Sequence, residues 1–293
     1  MDPLQQMLTS YAYNILGSYE EAKDIVQDVF VEIISRNDTV IDNEKAYLTR
    51  SVINRAINAK NRQKKWRSNY PGNWLPEPVA TESADGDLHQ KDILSYSLMI
   101  LLEKLDAKQR AVFILKEAFA YEHEEIAEVL DISIENSRKI LSRARKELSA
   151  LKNGAISEDD NITASASWWT GTGGSDYLDK YIETIRSGDM KRLEALLNDE
   201  IVIISDGGGK AKAAMNPLEG KEKAVLFLSG IFTKFYQNRH IEKGQVNHHP
   251  ALFYYEDGKL VNCQIFALRD GSVSGIYFMR NPDKLATLAT AVI

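Results

Sequence analysis

The chain has 293 residues and a mass of 33.0 kDa, is 44% hydrophobic and 27% charged, and carries a formal net charge of −6. This is enough apolar mass for about two domains, yet no apolar run reaches the roughly 18–20 residues of a membrane span. No basic start followed by an apolar block marks a signal peptide, and lone Cys263 excludes a disulfide scaffold and the cysteine-rich zinc sites, which fits the cytosol.

The mean acidity argues against nucleic-acid binding, but the charge is segregated. Residues 1–42 are net −6, residues 43–70 net +7, residues 71–131 net −8 and residues 132–152 net +4, while residues 170–293 balance. Two basic islands in an acidic first half fit small DNA-binding modules, because phosphates respond to local charge. Solvated basic helix faces are the plainer reading of the same numbers.

Ser18 followed by Glu21 reads as a capping box for a helix over residues 18–36, with Ala22, Ile25, Val26, Val29, Phe30, Ile33 and Ile34 at helical spacing. Its other face, Asp24, Gln27, Asp28 and Glu32, is a stripe of acceptors suited to a basic partner or to water. A second helix, 44–66, turns Leu48, Val52, Ile53, Ala56 and Ile57 inward. Outward it offers Arg50, Arg55, Asn58, Lys60, Asn61 and Arg62, with Tyr47 and Trp66 as rings that stack on bases or simply pack.

Trp74-Leu75-Pro76-Glu77-Pro78 follows, stiffened by two prolines. A plain spacer has no need of Trp74, so the segment is expected to lie on a surface. Asp106 and Gln109 then cap a helix through Val112, Phe113, Leu115 and Phe119. Beyond it, Glu124–Leu130, a break at Asp131-Ile132 and Ser133 as N-cap form a helix-turn-helix, with small Ala127 at the crossing. Its second helix, 133–148, presents Ser133, Asn136, Arg138, Lys139, Ser142 and Arg143. Ser137 is a polar residue on an otherwise apolar seam.

Residues 153–172 are rich in Gly, Ser, Thr, Ala and acids and read as a linker, with Trp168-Trp169 as its unusual part. Helices are expected around Leu178–Ile185, Leu193–Leu197 and Ala224–Phe235, and a β-branched run at 201–204. Asp257-Gly258 and Asp270-Gly271 punctuate apolar runs at 251–256, 259–268 and 272–280, the signal of antiparallel hairpins. Asp206, His240, His248 and His249 are the acid–base candidates there. The last two stand side by side on an expected strand and so point to opposite faces. Gly207-Gly208-Gly209-Lys210 is not a phosphate loop, since Ala211 follows the lysine.

Together these strings identify a family resemblance. Leu16-Gly17-Ser18 through Asp24–Phe30 resembles region 2 of bacterial extracytoplasmic-function sigma factors, and Glu125–Ser133 with Leu141–Lys146 resembles region 4. Trp74–Pro78, Asp206-Gly207-Gly208-Gly209-Lys210 and Asn281-Pro282-Asp283-Lys284 are similar to motifs of the subgroup carrying a SnoaL-like C-terminal extension. The resemblance implies a multidomain fold: two all-α domains followed by an α+β cone. The expected domains are 1–70 (region 2), 71–90 (linker), 91–152 (region 4), 153–172 (linker) and 173–293 (SnoaL-like).

It further implies that Asp24, Gln27 and Asp28 dock on the β′ clamp helices of core RNA polymerase, with the β flap as a second polymerase contact. Tyr47, Arg50, Arg55, Asn58, Lys60 and Arg62 would melt and read the −10 element of promoter DNA, aided by the loop 36–43 that captures a flipped base. Ser133, Asn136, Arg138, Lys139, Ser142 and Arg143 would read the −35 element. The three subgroup strings would meet in an intramolecular contact that modulates the sigma core. The expectation is thus a cytoplasmic sigma factor, not an enzyme, with no metal, cofactor or membrane association. A one-component helix-turn-helix regulator sensing a small ligand in its C-terminal pocket is the alternative, and a SnoaL-type cyclase or hydrolase a third reading.

Overall fold

Pro3 opens the first helix, α1 (Pro3–Leu16), at a position where its missing N–H costs nothing. Gly17 closes it in the left-handed region, φ 72°, with its amide on Tyr13 O at 2.7 Å. Ser18 then starts α2 (Tyr19–Ser35), accepting the Glu21 amide at 3.4 Å, and the Glu21 carboxylate takes Gln63 of the next helix at 2.7 Å. Asn43 caps that helix, α3 (Glu44–Arg67), through the Ala46 amide at 3.0 Å. Leu8, Leu16, Ala22, Val26, Leu48, Val52 and Ala56 are buried where the three helices pack.

The computed structural model describes residues 2–35, 42–81, 90–151, 173–236 and 239–289. The expected linker 153–172, with Trp168-Trp169, lies outside these residues, as do positions 36–41 of the expected base-capturing loop. The chain divides into two compact units. Residues 1–69, 84–94 and 98–151 form the first unit, so both helical domains share one body; residues 70–83, 95–97 and 152–293 form the second.

In the first unit α4 (Tyr96–Leu102, its opening residues belonging to the second) precedes α5 (Ala107–Phe113), which runs into a π turn at 114–118. Asp106 and Gln109 close the expected capping box. α6 (His123–Leu130) ends at Asp131 in the left-handed region, φ 54°, and α7 (Ile134–Leu151) begins three residues later.

The second unit contains α8 (Gly173–Ser187), α9 (Met190–Leu196), α10 (Lys221–Ile231) and a six-stranded sheet. The strands are β1 (Leu197–Asp206), β2 (Leu218–Glu219), β3 (His240–Val246), β4 (His249–Glu256), β5 (Lys259–Arg269) and β6 (Ser272–Met279). Their order is β2-β1-β6-β5-β4-β3, antiparallel except that β1 lies parallel to β6, a pairing no local signal announced. Irregularities in the β1–β6, β4–β5 and β5–β6 ladders bend the sheet. One face, with Leu252, Tyr254, Phe266, Ile276 and Phe278, packs against Leu178 and Tyr181 of α8 and Leu228 of α10. The alternate residues Ala251, Phe253, Cys263, Ile265, Tyr277 and Met279 are buried too, so the second face is also covered. There α11 (Pro282–Ala289) packs on β5, and the Tyr96 ring lies 5.7 Å from that of Tyr277.

His248 is not on a strand. Asn247 and His248 have φ of 45° and 63° and form the two-residue turn between β3 and β4, the conformation that Asp257-Gly258 and Asp270-Gly271 adopt in the next two hairpins.

Candidate nucleic-acid interface and connector site

The helix-turn-helix follows from local chemistry. Ser133 Oγ accepts the Asn136 amide at 3.2 Å, the Ile132 amide reaches Ala127 O at 3.0 Å, and Ile126, Ala127, Leu130, Leu141 and Ala144 form the buried seam. Ser133, Asn136, Arg138, Lys139, Ser142 and Arg143 all lie on the exposed side of α7. Ser137 does not weaken the seam by exposing a hydroxyl to apolar groups: fully buried, its Oγ lies 2.8 Å from Nδ1 of His123. Asp24, Gln27 and Asp28 are exposed on α2, on the same side as Val31.

On α3 the expected outward set splits. Arg50, Asn58 and Arg62 are exposed and Tyr47 is half-buried. Arg55 pairs with Glu32 of α2. Lys60 departs from the expectation: it is 7% exposed, and its Nζ lies 2.9 Å from Leu16 O and 2.8 Å from both oxygens of Glu103. Lys60 sits one turn beyond Ala56 and two beyond Val52, on the inward stripe, so helical spacing alone assigns it to the buried side.

The partners of Lys60 escaped sequence reasoning. Glu103, just past α4, also pairs with Arg67 of α3 and with Arg110 of α5, whose side chain is fully buried. Arg110 Nε donates to Asn14 O at 2.8 Å. Three cationic side chains thus surround one carboxylate beside the C-terminal carbonyls of α1. Burial on its own would raise the Glu103 carboxyl, but Arg110, Lys60 and Arg67 outweigh it and hold it down at about 2. Burial first, then Arg110, pushes the Lys60 ammonium well below its usual range. Helical spacing puts Lys60 and Arg67 two turns apart on α3, but nothing local in the sequence links them to Glu103 and Arg110.

In the second unit the three short motifs come together around Asp206, at the end of β1. Its carboxylate accepts from the Tyr70 hydroxyl at 2.7 Å, the Gly208 amide at 2.9 Å, the Leu75 amide at 2.9 Å and Lys284 Nζ at 2.7 Å. Its backbone oxygen takes the amides of Arg280 and Asn281. Asn281 caps α11 through the Asp283 amide at 3.1 Å, Pro282 occupies the first helical position, and Asn281 Nδ2 donates to Tyr70 Oη at 2.9 Å.

Lys284 adds a bond to Leu75 O at 2.5 Å and stands 4.2 Å from the centroid of the Trp74 ring. Pro76 O accepts from Tyr96, and Glu77 from Thr287. Glycine is required twice in the loop: Gly208 and Gly209 have φ of 61° and 72°, and a Cβ there would meet Asn281 at 2.4 Å and Pro71 at 2.6 Å. Lys210 pairs with Asp283 at the surface.

A second attachment holds the same connector at the other end of the sheet. Ala80 forms a bridge with Val246, the Thr81 amide reaches Gln245 O at 3.1 Å and the Asn247 amide reaches Val79 O at 2.9 Å. The His248 amide donates to Thr81 Oγ1 at 3.3 Å, which holds this turn in its left-handed conformation. Ser97 is held by His249, whose Nε2 accepts from the Ser97 amide at 3.3 Å and lies 2.9 Å from its hydroxyl. Burial, then neighbouring His248, lowers the His249 imidazole to about 4, the neutral form this bond needs.

The acid–base candidates therefore do not converge. Asp206 and His249 are buried in these contacts, His248 is in a turn, and exposed His240 pairs with Glu242. Among the described residues no group of three metal-ligating side chains occurs, and no helix is long and apolar enough to cross a membrane.

Comparison with known proteins agrees with this architecture. Residues 1–66 match the model for sigma-70 region 2 and residues 97–148 that for sigma-70 region 4. The chain is 29% identical over 297 residues to the ECF RNA polymerase sigma factor SigJ of Mycobacterium tuberculosis, covering 97% of this chain and 91% of that one. The crystal structure of SigJ superposes with a TM-score of 0.75 at 26% identity, over 97% of this chain and 96% of the other. The probable ECF RNA polymerase sigma factor SigI of the same organism is 25% identical over 147 residues, 48% of this chain and 50% of that one.

Regions 2 and 4 on one chain define a sigma factor, a protein that binds RNA polymerase and DNA and directs transcription initiation at promoters. Joined to an α+β domain, these regions resemble an extracytoplasmic-function sigma factor over nearly the whole length of both chains.

Proposed function

We propose a division of labour within this sigma factor. Asp24, Gln27 and Asp28 of α2 dock on the β′ clamp helices of core polymerase, beside the exposed Val31, and region 4 engages the β flap. Arg50, Asn58 and Arg62 of α3, with Tyr47 and Arg55, act on the −10 element, where unpaired bases suit amides, rings and guanidiniums. Ser133, Asn136, Arg138, Lys139, Ser142 and Arg143 of α7 read the −35 element as duplex, the form whose major groove admits a helix. The protein works in the cytoplasm and has no catalytic chemistry of its own.

The SnoaL-like domain modulates this activity in cis by holding the connector between the two sigma regions. The observation that carries this is the Asp206 carboxylate, saturated by Tyr70 and Leu75 of the connector together with Gly208 and Lys284. A tethered domain acts at high effective concentration, so modest contacts suffice.

The test is initiation by core polymerase from a promoter found by selection, using the full chain. Dependence on core, loss with Arg143→Ala on templates bearing a −35 element, and altered activity with Asp206→Ala are the expected results. Promoter binding that neither needs nor recruits core would instead make the chain a one-component regulator.

A further inference from the structure

Elements centred about 25 base pairs apart, as their names −10 and −35 state, lie about 85 Å from one another along straight DNA. The helices assigned to them are far closer in the first unit. Asn54 of α3 donates through Nδ2 to Val129 O of α6 at 2.9 Å, and α6 packs directly on α7. α3 itself, 24 residues long, spans only about 36 Å. Both helices cannot therefore reach their elements at once in this arrangement, and regions 2 and 4 must part before a promoter is engaged on both.

The contact that joins the regions has an aromatic part, where the Tyr11 ring of α1 lies 4.1 Å from that of Phe119, and a polar part centred on Glu103. The carboxylate stands on the region 4 side and takes Lys60 and Arg67 from α3 and Arg110 from α5. Lys60 and Arg67 lie two turns apart on the helix that also carries Arg50 and Arg62. A carboxylate that collects a lysine and an arginine from a DNA-binding helix does there what a backbone phosphate does. The cluster also has more cations than anions, so removing the one carboxylate leaves neighbouring positive groups to repel each other.

We propose that Glu103 is an autoinhibitory latch: it occupies Lys60 and Arg67 in place of DNA phosphate and bolts region 2 to region 4, and its release frees both side chains for the promoter. The proposal rests on the assignment of α3 and α7 to the −10 and −35 elements, and it adds a closed state to that assignment. Asn14, Leu16 and Gln63 complete the site but reach Lys60, Arg67 or Arg110 from their own side of the contact or through backbone oxygens. Glu103 is the only carboxylate among the described residues that ion-pairs with α3 from region 4.

The experiment places spin labels on cysteines introduced at exposed Lys64 and Glu128 in the full-length protein and reads their separation. The wild type should give one short distance. Glu103→Gln should shift the population to longer, broader distances and raise affinity for a promoter fragment at least fivefold, with a steeper salt dependence. A folded Glu103→Gln protein that keeps the wild-type distance overturns the latch, as does one that opens without gaining DNA affinity.

If Glu103→Gln loses its helical signal, the wild type decides. Lengthening of its label distance when core polymerase and promoter DNA are added supports the latch, and an unchanged distance overturns it. Absence of core-dependent initiation by the wild type would defeat the −10 and −35 assignment instead, a result that the label distance reports separately.

Discussion

Glu103 in the helical unit and Asp206 in the SnoaL-like unit are both carboxylates withdrawn from solvent, and they are partnered in opposite ways. Asp206 receives one ammonium, one phenol and two backbone amides, which fill about the four acceptor sites a carboxylate has. One negative charge meets one positive charge, and the remaining donors are neutral. Glu103 receives only cationic side chains, three of them, and part of their surplus is absorbed by helix-end carbonyls. A saturated, charge-balanced site holds its elements whatever the surroundings. A charge-surplus site depends on a single anion and gives way to a better one, such as nucleic acid. The first suits a permanent joint, the second a contact made to be broken.

Asp206→Ala breaks that comparison hardest. It leaves Lys284 as a nearly buried cation without its carboxylate and two amides without an acceptor, a loss of about 3–5 kcal/mol. The expected outcome is a marked fall in the melting temperature of the SnoaL-like unit and new proteolytic cleavage within 70–81. A melting curve and cleavage pattern matching wild type would mean that Asp206 is not the joint.

How much of this was legible in the sequence depends on range. The helix-turn-helix and the helix before it could be read because their signals are local: Ser133 three residues before Asn136 and small Ala127 at the crossing, and Asp106 three before Gln109 at the start of α5. The Asp-Gly turns were equally local. The Asn247-His248 turn was not, because its left-handed backbone is held by Thr81, which lies far away in the chain. The parallel β1–β6 pair and the meeting of Lys60 and Arg67 with Glu103 and Arg110 join distant parts of the chain, so no periodicity betrays them. The motifs around Asp206 stood out as a resemblance, but the chemistry that explains each letter, such as Asn281 as cap and Lys284 as counter-ion, needed coordinates. Lys60 was misplaced by its residue type, since a lysine in a basic helix is expected in water.

His249 tests whether the second attachment is as permanent as the first. Its pKa is depressed from about 6.5 to about 4. Unfolded chains therefore take up the proton before folded ones, and stability is full above about pH 6.5 and lost as the pH falls through about 4. The shift corresponds to about 3 kcal/mol, as an order of magnitude. Thermal melts of the wild type should weaken over that window, and His249→Asn should flatten the dependence. An identical slope in the variant would assign the acid sensitivity to other groups.

Trp74→Ala sharpens the comparison at smaller scale. The indole face meets the same ammonium that neutralises Asp206, so its loss removes a cation–π contact of about 1–2 kcal/mol while leaving the ion pair intact. Melting should drop by a fraction of the Asp206→Ala effect, and the two losses should add to less than their sum, because both act through Lys284. Full additivity would separate the tryptophan from the joint.

Lys210→Ala should do least, although Lys210 belongs to the same motif as Asp206. Its Nζ lies 2.6 Å from Asp283, but the side chains are 57% and 64% exposed. Water and salt screen such a pair, and holding two long side chains together costs entropy, so the expected change is about 0–1 kcal/mol. A double-mutant cycle with Asp283→Ala isolates the coupling, and added salt should erase it. Asp283 also sits in the first turn of α11, where a negative charge is favourable without any lysine. Asp283→Ala should therefore cost more than Lys210→Ala. Equal losses from the two single variants would make the surface pair, and not the helix end, the reason an acidic residue stands there.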